Sequence, residues 1–418
     1  MPRLLVHGKR QPLSGTVKIS GAKNAAVAII PAALLAAAPV RIENLPEIND
    51  IRILVEIIEE LGVRVAWESP STLLIDASSI QKVQAPYELV KKMRASYYLI
   101  GALVGRLGRA EVPIPGGCDL GPRPIDQHIK GLVGMGAKIE VEHGLVKVEG
   151  KRLQGANIYL DIVSVGATIN IMLAAVRSKG KTVIENAAKE PEIVDVANFL
   201  NAMGAHVRGA GTDVIKVTGV DELISATHCV IPDRIEAGTY MIAAAASGGN
   251  VLLSDVIPKH LEPVTAKLRE IGMTVDVFDD QIRVIGNCEP RAVNIKTFPY
   301  PGFPTDLQSL AMVLLTQAKG SSVISENVFE GRFKHVDELK RMGACIKVEG
   351  RTAVVSGCRL LSGAPVNATD LRAGASFIIA GLIAQGETVI SQTEHIYRGY
   401  EKICEKFNAL GAEIEEID

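Results

Sequence analysis

Six times along this chain a helix-like segment ends in a glycine flanked by apolar residues and then runs into a short alternating strand. The copies are Leu61-Gly62-Val63, Met135-Gly136-Ala137, Met203-Gly204-Ala205, Ile271-Gly272-Met273, Met342-Gly343-Ala344 and Leu410-Gly411-Ala412. The glycines stand 74, 68, 68, 71 and 68 residues apart. Glycine just past a helix end adopts the left-handed conformation at little cost. The residues after it alternate apolar and polar, as in Ala137-Lys138-Ile139-Glu140-Val141, which is the period of a half-buried strand. A period near 70 exceeds the roughly 20–50 residues of a solenoid repeat, so the pattern predicts six copies of a small α/β unit.

A second marker keeps phase with the first. Ala-rich apolar helices are predicted to start near Lys23, Arg94, Ser164, Arg234, Asp306 and Arg372, each followed by a turn and a β-branched run such as Thr182-Val183-Ile184. A helix apolar all round has to be buried. Each unit thus pairs one buried helix with one amphipathic helix plus strands. Six such units suggest two domains of three, with sheets wrapped around a helical centre.

The starts of the apolar helices carry the first sign of chemistry. A cation in the first helical turn opposes the helix dipole, at roughly 0.3–1 kcal/mol. Yet Lys23, Arg94, Arg234 and Arg372 all sit at or near such starts. Local ion pairs, Asp233 with Arg234 or Asp370 with Arg372, are one explanation. A strongly anionic ligand held by helix amides and cations together is the other.

Composition narrows the classes. With 45 basic and 47 acidic residues the net charge is −2, so no bulk attraction to nucleic acid follows. One Trp and 4% aromatics argue against a base-stacking surface. The six cysteines are scattered without a C-x-x-C pair, so neither a disulfide framework nor a zinc site is expected, and the eight histidines show no metal-ligand spacing. The longest apolar run, Ala25 to Val40, has 16 residues with Pro31 inside. That is short of the ~20 needed to cross a bilayer, and it does not read as a signal peptide. The expectation is a two-domain enzyme of the cytoplasm, with no membrane and no nucleic-acid partner.

The sharpest local motif is Pro115-Gly116-Gly117-Cys118-Asp119-Leu120-Gly121-Pro122-Arg123-Pro124. Three Gly and three Pro forbid regular structure and suggest a hinged loop, a candidate active-site lid. Arg123 would favour a thiolate at Cys118 and bind an anion. Asp119 would keep the thiol protonated if the two side chains approach. A thiol protonated near neutral pH suits proton donation.

These motifs occur in one order with Ser20-Gly21-Ala22-Lys23-Asn24, Lys92-Met93-Arg94-Ala95-Ser96, Ser164-Val165-Gly166-Ala167-Thr168, Pro232-Asp233-Arg234, Phe303-Pro304-Thr305-Asp306, Thr369-Asp370-Leu371-Arg372 and His395-Ile396-Tyr397-Arg398-Gly399. In this the whole chain resembles the enolpyruvyl transferase family, in the branch that acts on UDP-N-acetylglucosamine. The resemblance implies an α/β fold, the two-domain inside-out α/β barrel or α/β prism, with three repeats in each domain. It implies domains of 22–229, carrying the Cys118 lid, and of 1–21 with 230–418, with the site in the cleft between them. It also implies transfer of the enolpyruvyl group of phosphoenolpyruvate to the sugar 3-hydroxyl with release of phosphate, the opening of peptidoglycan synthesis, without cofactor or metal.

What the resemblance carries for individual residues is as follows. Cys118 is the acid, the residue that can form an adduct with phosphoenolpyruvate and that fosfomycin alkylates. Asp306 is the carboxylate near the sugar hydroxyl. Lys23, Arg123 and Arg398 form the phosphate cluster, with Asn24 beside Lys23, and Arg332 and Arg372 are further cations around the small substrate. For the nucleotide sugar the match brings Asn24, Arg94, Arg123, Pro124, Ile125, Asp126, Gln127, Ser164, Val165, Gly166, Asp306 and Val328. Two departures stand out: Ile162, where some members have a Lys, and Asp119, where many have a small or neutral residue. The sister enzyme acting on shikimate 3-phosphate lacks the lid cysteine and carries an Asn-Ala-Gly-Thr motif that is absent here. A non-catalytic scaffold of the same fold would have lost the acid, the base or the phosphate cations. The oligomeric state stays open at this level.

Overall fold

A computed structural model describes residues 2–8, 11–114, 125–286, 289–357 and 360–418. Two compact units emerge. Described residues from Gly21 to Ile231 form one, and those up to Ser20 together with Pro232–Asp418 form the other.

All six marker glycines lie in the left-handed region, with φ of 93°, 90°, 94°, 110°, 91° and 94° in chain order. Each ends its helix in the same way. Gly62 N–H donates to the Glu59 carbonyl at 2.8 Å and Val63 N–H to the Ile58 carbonyl at 3.1 Å. The equivalent second bonds run from Ala137 to Leu132, Ala205 to Leu200, Met273 to Leu268, Ala344 to Leu339 and Ala412 to Phe407, all between 2.9 and 3.0 Å. This is the paired closure that satisfies the last helical carbonyls. It turns the chain from an amphipathic helix into a strand six times over.

In the unit of residues 21–231 the apolar helices Lys23–Ala33, Tyr98–Leu107 and Val165–Ala175 are buried almost throughout. The second packs against each of the others. Its approach to the third is very close, because a Cβ on Gly101 would stand 2.4 Å from the Asn170 carbonyl oxygen. Around them lie small mixed sheets. Val40–Glu43 pairs antiparallel with Thr72–Asp76 and parallel with Thr227–Cys229, and Thr72–Asp76 pairs with Arg64–Ser69. The second is built on Arg109–Pro113, Leu145–Glu149 and Lys138–Glu142, the third on Lys181–Glu185 with Val214–Thr218, His206–Arg208 and Asn157–Tyr159. Alternate residues of Leu145–Glu149, Lys181–Glu185 and Val214–Thr218 are buried against the helices.

The other unit repeats the plan around Arg234–Ser247, Gln308–Leu315 and Leu371–Ile383, each of which packs on the other two. Its last sheet is completed from the far end of the chain. Arg3–His7 lies antiparallel between Glu387–Ser391 and Ile414–Ile417, with Leu4 and Val6 fully buried. Among the described residues no helix is long and apolar enough to cross a membrane.

Candidate active site

In the unit that ends at Asp418, three turns converge on one carboxylate. Asp306 lies in the short 3-10 turn Thr305–Leu307, Arg332 in a second such turn, Glu330–Phe333, and Arg372 in the first turn of Leu371–Ile383. Arg332 Nη2 donates to Asp306 Oδ1 at 2.9 Å. Arg372 donates to Oδ2 through Nε at 3.1 Å and Nη2 at 3.0 Å. Both guanidinium groups are buried, at 3% and 4% exposure against 25% for the Asp306 side chain. Burial alone would push the carboxyl up, but Arg372 first and then Arg332, with help from Arg234, hold it far below the ordinary carboxylate range. Burial works against the Arg372 charge too, and is outweighed by Asp306 and then Tyr400, so its proton is held more tightly than usual.

Asp306 therefore does not cap a helix: no side-chain cap bond is made at the start of the helix after it. Nor does Asp370 take the Arg372 guanidinium, since its Oδ1 accepts the Arg372 and Ala373 amides at 2.8 and 3.1 Å. Asp233 caps the Arg234 helix in the same way. The aspartates at both helix starts thus meet amides, which leaves the Arg372 side chain to reach Asp306. Arg372 Nη1 is buried with no hydrogen-bond partner among the described residues, and the guanidinium stands over the Tyr400 ring at 5.3 Å, close enough for the Tyr400 hydroxyl to favour its charge. A buried charged donor left unmade is costly.

Two buried supports escaped the sequence reading. Glu326, fully buried, accepts from Thr297 Oγ1 at 2.8 Å and Thr305 Oγ1 at 2.9 Å, and from the amides of Val328 and Phe329 at 2.8 and 3.1 Å. It thereby fixes both Val328 and the turn that presents Asp306. His335 donates from Nδ1 to the Arg332 carbonyl at 3.0 Å. Burial lowers its pKa to about 4 against the pull of Asp370, so it stands neutral behind Arg332. Arg398, half-buried, follows the short helix Glu394–Tyr397 in this unit.

The other unit holds the remaining described candidates. Lys23 is the first residue of its helix, and its Nζ meets Asp50 Oδ2 at 2.7 Å with both side chains buried. The sequence reading passed over Asp50 as well. Asn24 is half-buried beside Lys23, and Arg94, also half-buried, opens the 3-10 turn Arg94–Tyr97. Ile125 precedes Asp126–Gly134, whose first turn carries Asp126 and Gln127. Gln127 donates to Asp126 at 2.8 Å and Asp161 at 3.2 Å, and accepts the Asp161 amide at 2.9 Å. Ser164 caps Val165–Ala175 by accepting the Ala167 amide at 3.2 Å. Gly166 is needed for space, since a Cβ there would lie 2.9 Å from His128 Nε2. Val165 and Gly166 remain half-exposed at the end where helix amides point outward. Ile162 is exposed. Cys118, Asp119, Arg123 and Pro124 lie outside the described residues.

Among the described residues one trio, His7, Glu413 and Glu415, brings three possible metal-ligand atoms within 4.8 Å. His7 there already faces Glu387 at 3.4 Å and Glu415 at 3.8 Å.

Comparison with known proteins agrees at three levels. Residues 8–407 match the family described as EPSP synthase (3-phosphoshikimate 1-carboxyvinyltransferase). The chain is 58% identical over 418 residues to UDP-N-acetylglucosamine 1-carboxyvinyltransferase of Clostridium botulinum, covering 100% of both chains. It is 56% identical over 414 residues to UDP-N-acetylglucosamine 1-carboxyvinyltransferase 2 of Bacillus anthracis, covering 99% of this chain and 96% of the relative. Among solved structures, the enolpyruvyl transferase NikO from Streptomyces tendae superposes with a TM-score of 0.91 at 28% identity, over 99% of this chain and 98% of that one. EPSP synthase from Acinetobacter baumannii shares the fold, with a TM-score of 0.78 at 21% identity over 100% of both chains.

Proposed function

The chain belongs to the enolpyruvyl transferase family, and from that premise we propose that it transfers the enolpyruvyl group of phosphoenolpyruvate to the 3-hydroxyl of UDP-N-acetylglucosamine. Inorganic phosphate is the other product, and the reaction commits the sugar to peptidoglycan in the cytoplasm. The observation that carries this reading is the 58% identity over the full length to a relative of that activity.

The chemistry divides among the residues as follows. Cys118 delivers a proton to the methylene carbon of phosphoenolpyruvate, which leaves a cationic centre at the next carbon. The sugar 3-oxygen attacks that centre as its proton passes to Asp306. Loss of a proton from the new methyl group then expels phosphate and restores the double bond. Lys23, Arg123 and Arg398 neutralise the phosphate, with Asn24 alongside. Arg94, the stretch from Arg123 to Gln127, Ser164-Val165-Gly166 and Val328 hold the nucleotide sugar, with the helix amides after Ser164 suited to its diphosphate.

Asp306 bound to two arginines is a poor base. Phosphoenolpyruvate changes this, because its own anionic groups compete for Arg332 and Arg372, and Arg372 Nη1 has no partner to give up among the described residues. As the guanidinium groups turn to substrate, Asp306 loses the contacts that depress its proton affinity. The base is thereby armed by the arrival of the electrophile.

The test is phosphate release with phosphoenolpyruvate and each acceptor in turn. Release is expected with UDP-N-acetylglucosamine and not with shikimate 3-phosphate. Release with the second acceptor alone would assign the sister activity, and release with neither would leave an anion-binding scaffold.

A further inference from the structure

The third sheet of the unit of residues 21–231 carries charges that the reaction does not use. Its outward face holds Lys181, His206, Arg208 and Lys216, all exposed. With Thr218 they line an open depression of about 720 Å³. The side chains of Lys181, Arg208 and Lys216 take no part in an ion pair or hydrogen bond with a described residue, and nor does that of His206. The one acid in the four strands is Glu185, a full residue pair further along, opposite Val214.

Register makes the arrangement unusual. Arg208 stands directly opposite Lys216, and like charges in that relation destabilise a sheet. Every other pair of charged residues in register among the described strands is of opposite sign: Arg64 with Asp76, Arg109 and Lys138 with Glu149, Glu111 and Glu140 with Lys147, and Asp276 with Arg283. The same small sheet, built six times, thus places complementary charges wherever stability alone decides. The isolated bridge of Arg291 with Lys319 also faces two cations, but Lys319 is taken by Glu289. Among the described strands Arg208 and Lys216 alone stand face to face with neither neutralised.

We propose that this depression is an anion site that takes a compact oligophosphate. The cations span three neighbouring strands, about 10 Å at the usual strand spacing, which suits linked phosphates better than one. Arg208 supplies a fork for two phosphate oxygens, Lys181 and Lys216 supply point charges, and Thr218 supplies a hydroxyl donor. Tyr159 on the fourth strand lies beside Glu185, outside the depression, with Lys130 over its ring, so recognition rests on the phosphates and not on a base.

The test is calorimetric titration of the full chain with inorganic triphosphate. Comparison variants are Lys216→Glu, the double variant Arg208→Ala with Lys216→Ala, and Lys138→Glu as a control of equal charge change on another sheet. Triphosphate is expected to bind the parent and Lys138→Glu alike, more weakly as salt rises, with affinity falling at least tenfold in the other two. Without triphosphate those two should melt no earlier than the parent, because relieving Arg208 against Lys216 removes a repulsion. Equal affinity in all four proteins would overturn the proposal. So would earlier melting of the double variant, or binding only to phosphatidylglycerol vesicles or single-stranded DNA in place of free triphosphate.

Discussion

Asp306 shows how one side chain is tuned by its surroundings. Its folded pKa is depressed, so the stabilisation from its two ion pairs is complete above the unfolded value of about 3.9 and fades as pH falls through that value and below. Between pH 5 and 9 the free enzyme therefore keeps Asp306 ionised, and an acid limb in that window belongs to another group. Asp306→Asn strands two buried guanidinium groups and is expected to cost roughly 3–5 kcal/mol of stability. Turnover should fall by roughly 10²–10⁴-fold, as for loss of a general base. Denaturant melts and steady-state kinetics on the same preparation check both, and a variant that melts early yet turns over normally would make Asp306 purely structural. For Cys118 the expectation is chemical. Fosfomycin should inactivate the parent and add its mass at this thiol, whereas Cys118→Asp should retain activity in its presence. Persistent inactivation of that variant would sink the assignment of the acid.

At the scale of elements, glycine plays two separable parts. Gly136 has φ of 90° and nothing within 4 Å of where a Cβ would stand. Gly136→Ala should therefore cost only the left-handed strain, about 1–2 kcal/mol. Gly101→Ala would instead drive a methyl into the Asn170 carbonyl, 2.4 Å away between two buried helices, and should cost several times more. Chemical denaturation of both ranks them; equal losses would mean that helix spacing adapts freely. This contrast also explains what the sequence made legible. The six closures could be read because almost no residue but glycine tolerates that conformation, so phase alone revealed the repeat. The convergence on Asp306 could not be read, since its partners lie 26 and 66 residues away on turns without periodic signature. Glu326 and Asp50 were missed for a related reason: a buried carboxylate at a strand or helix end looks, in sequence, like any solvated acid. The resemblance supplied Arg332 and Arg372 as cations but gave no sign that they bind Asp306 first.

On the scale of the molecule, the unit of residues 232–418 is incomplete without Arg3–His7. That strand lies inside its sheet, and both of its neighbours come 380 or more residues later in the chain. Deleting residues 2–7 should expose the facing edges of Glu387–Ser391 and Ile414–Ile417 and remove Leu4 and Val6 from the core. Hydrogen exchange read by mass spectrometry is expected to show lost protection across residues 232–418, while Lys23–Ala33 and Val165–Ala175 stay protected. Native protection at Glu387–Ser391 in the deleted chain would refute this.

The same strand sets a timetable. On the ribosome Arg3–His7 emerges ahead of its partners, which follow about 380–410 residues later. At the usual 5–20 residues per second that is a wait of about 20–80 s. Residues 21–231 contain all their own strand partners and can finish folding during the wait. The early strand, with Leu4 and Val6 unpaired, meanwhile depends on whatever shields nascent apolar segments. Synthesis rate and chaperone supply should therefore govern the yield of this enzyme through Arg3–His7 more than through any later stretch of equal length.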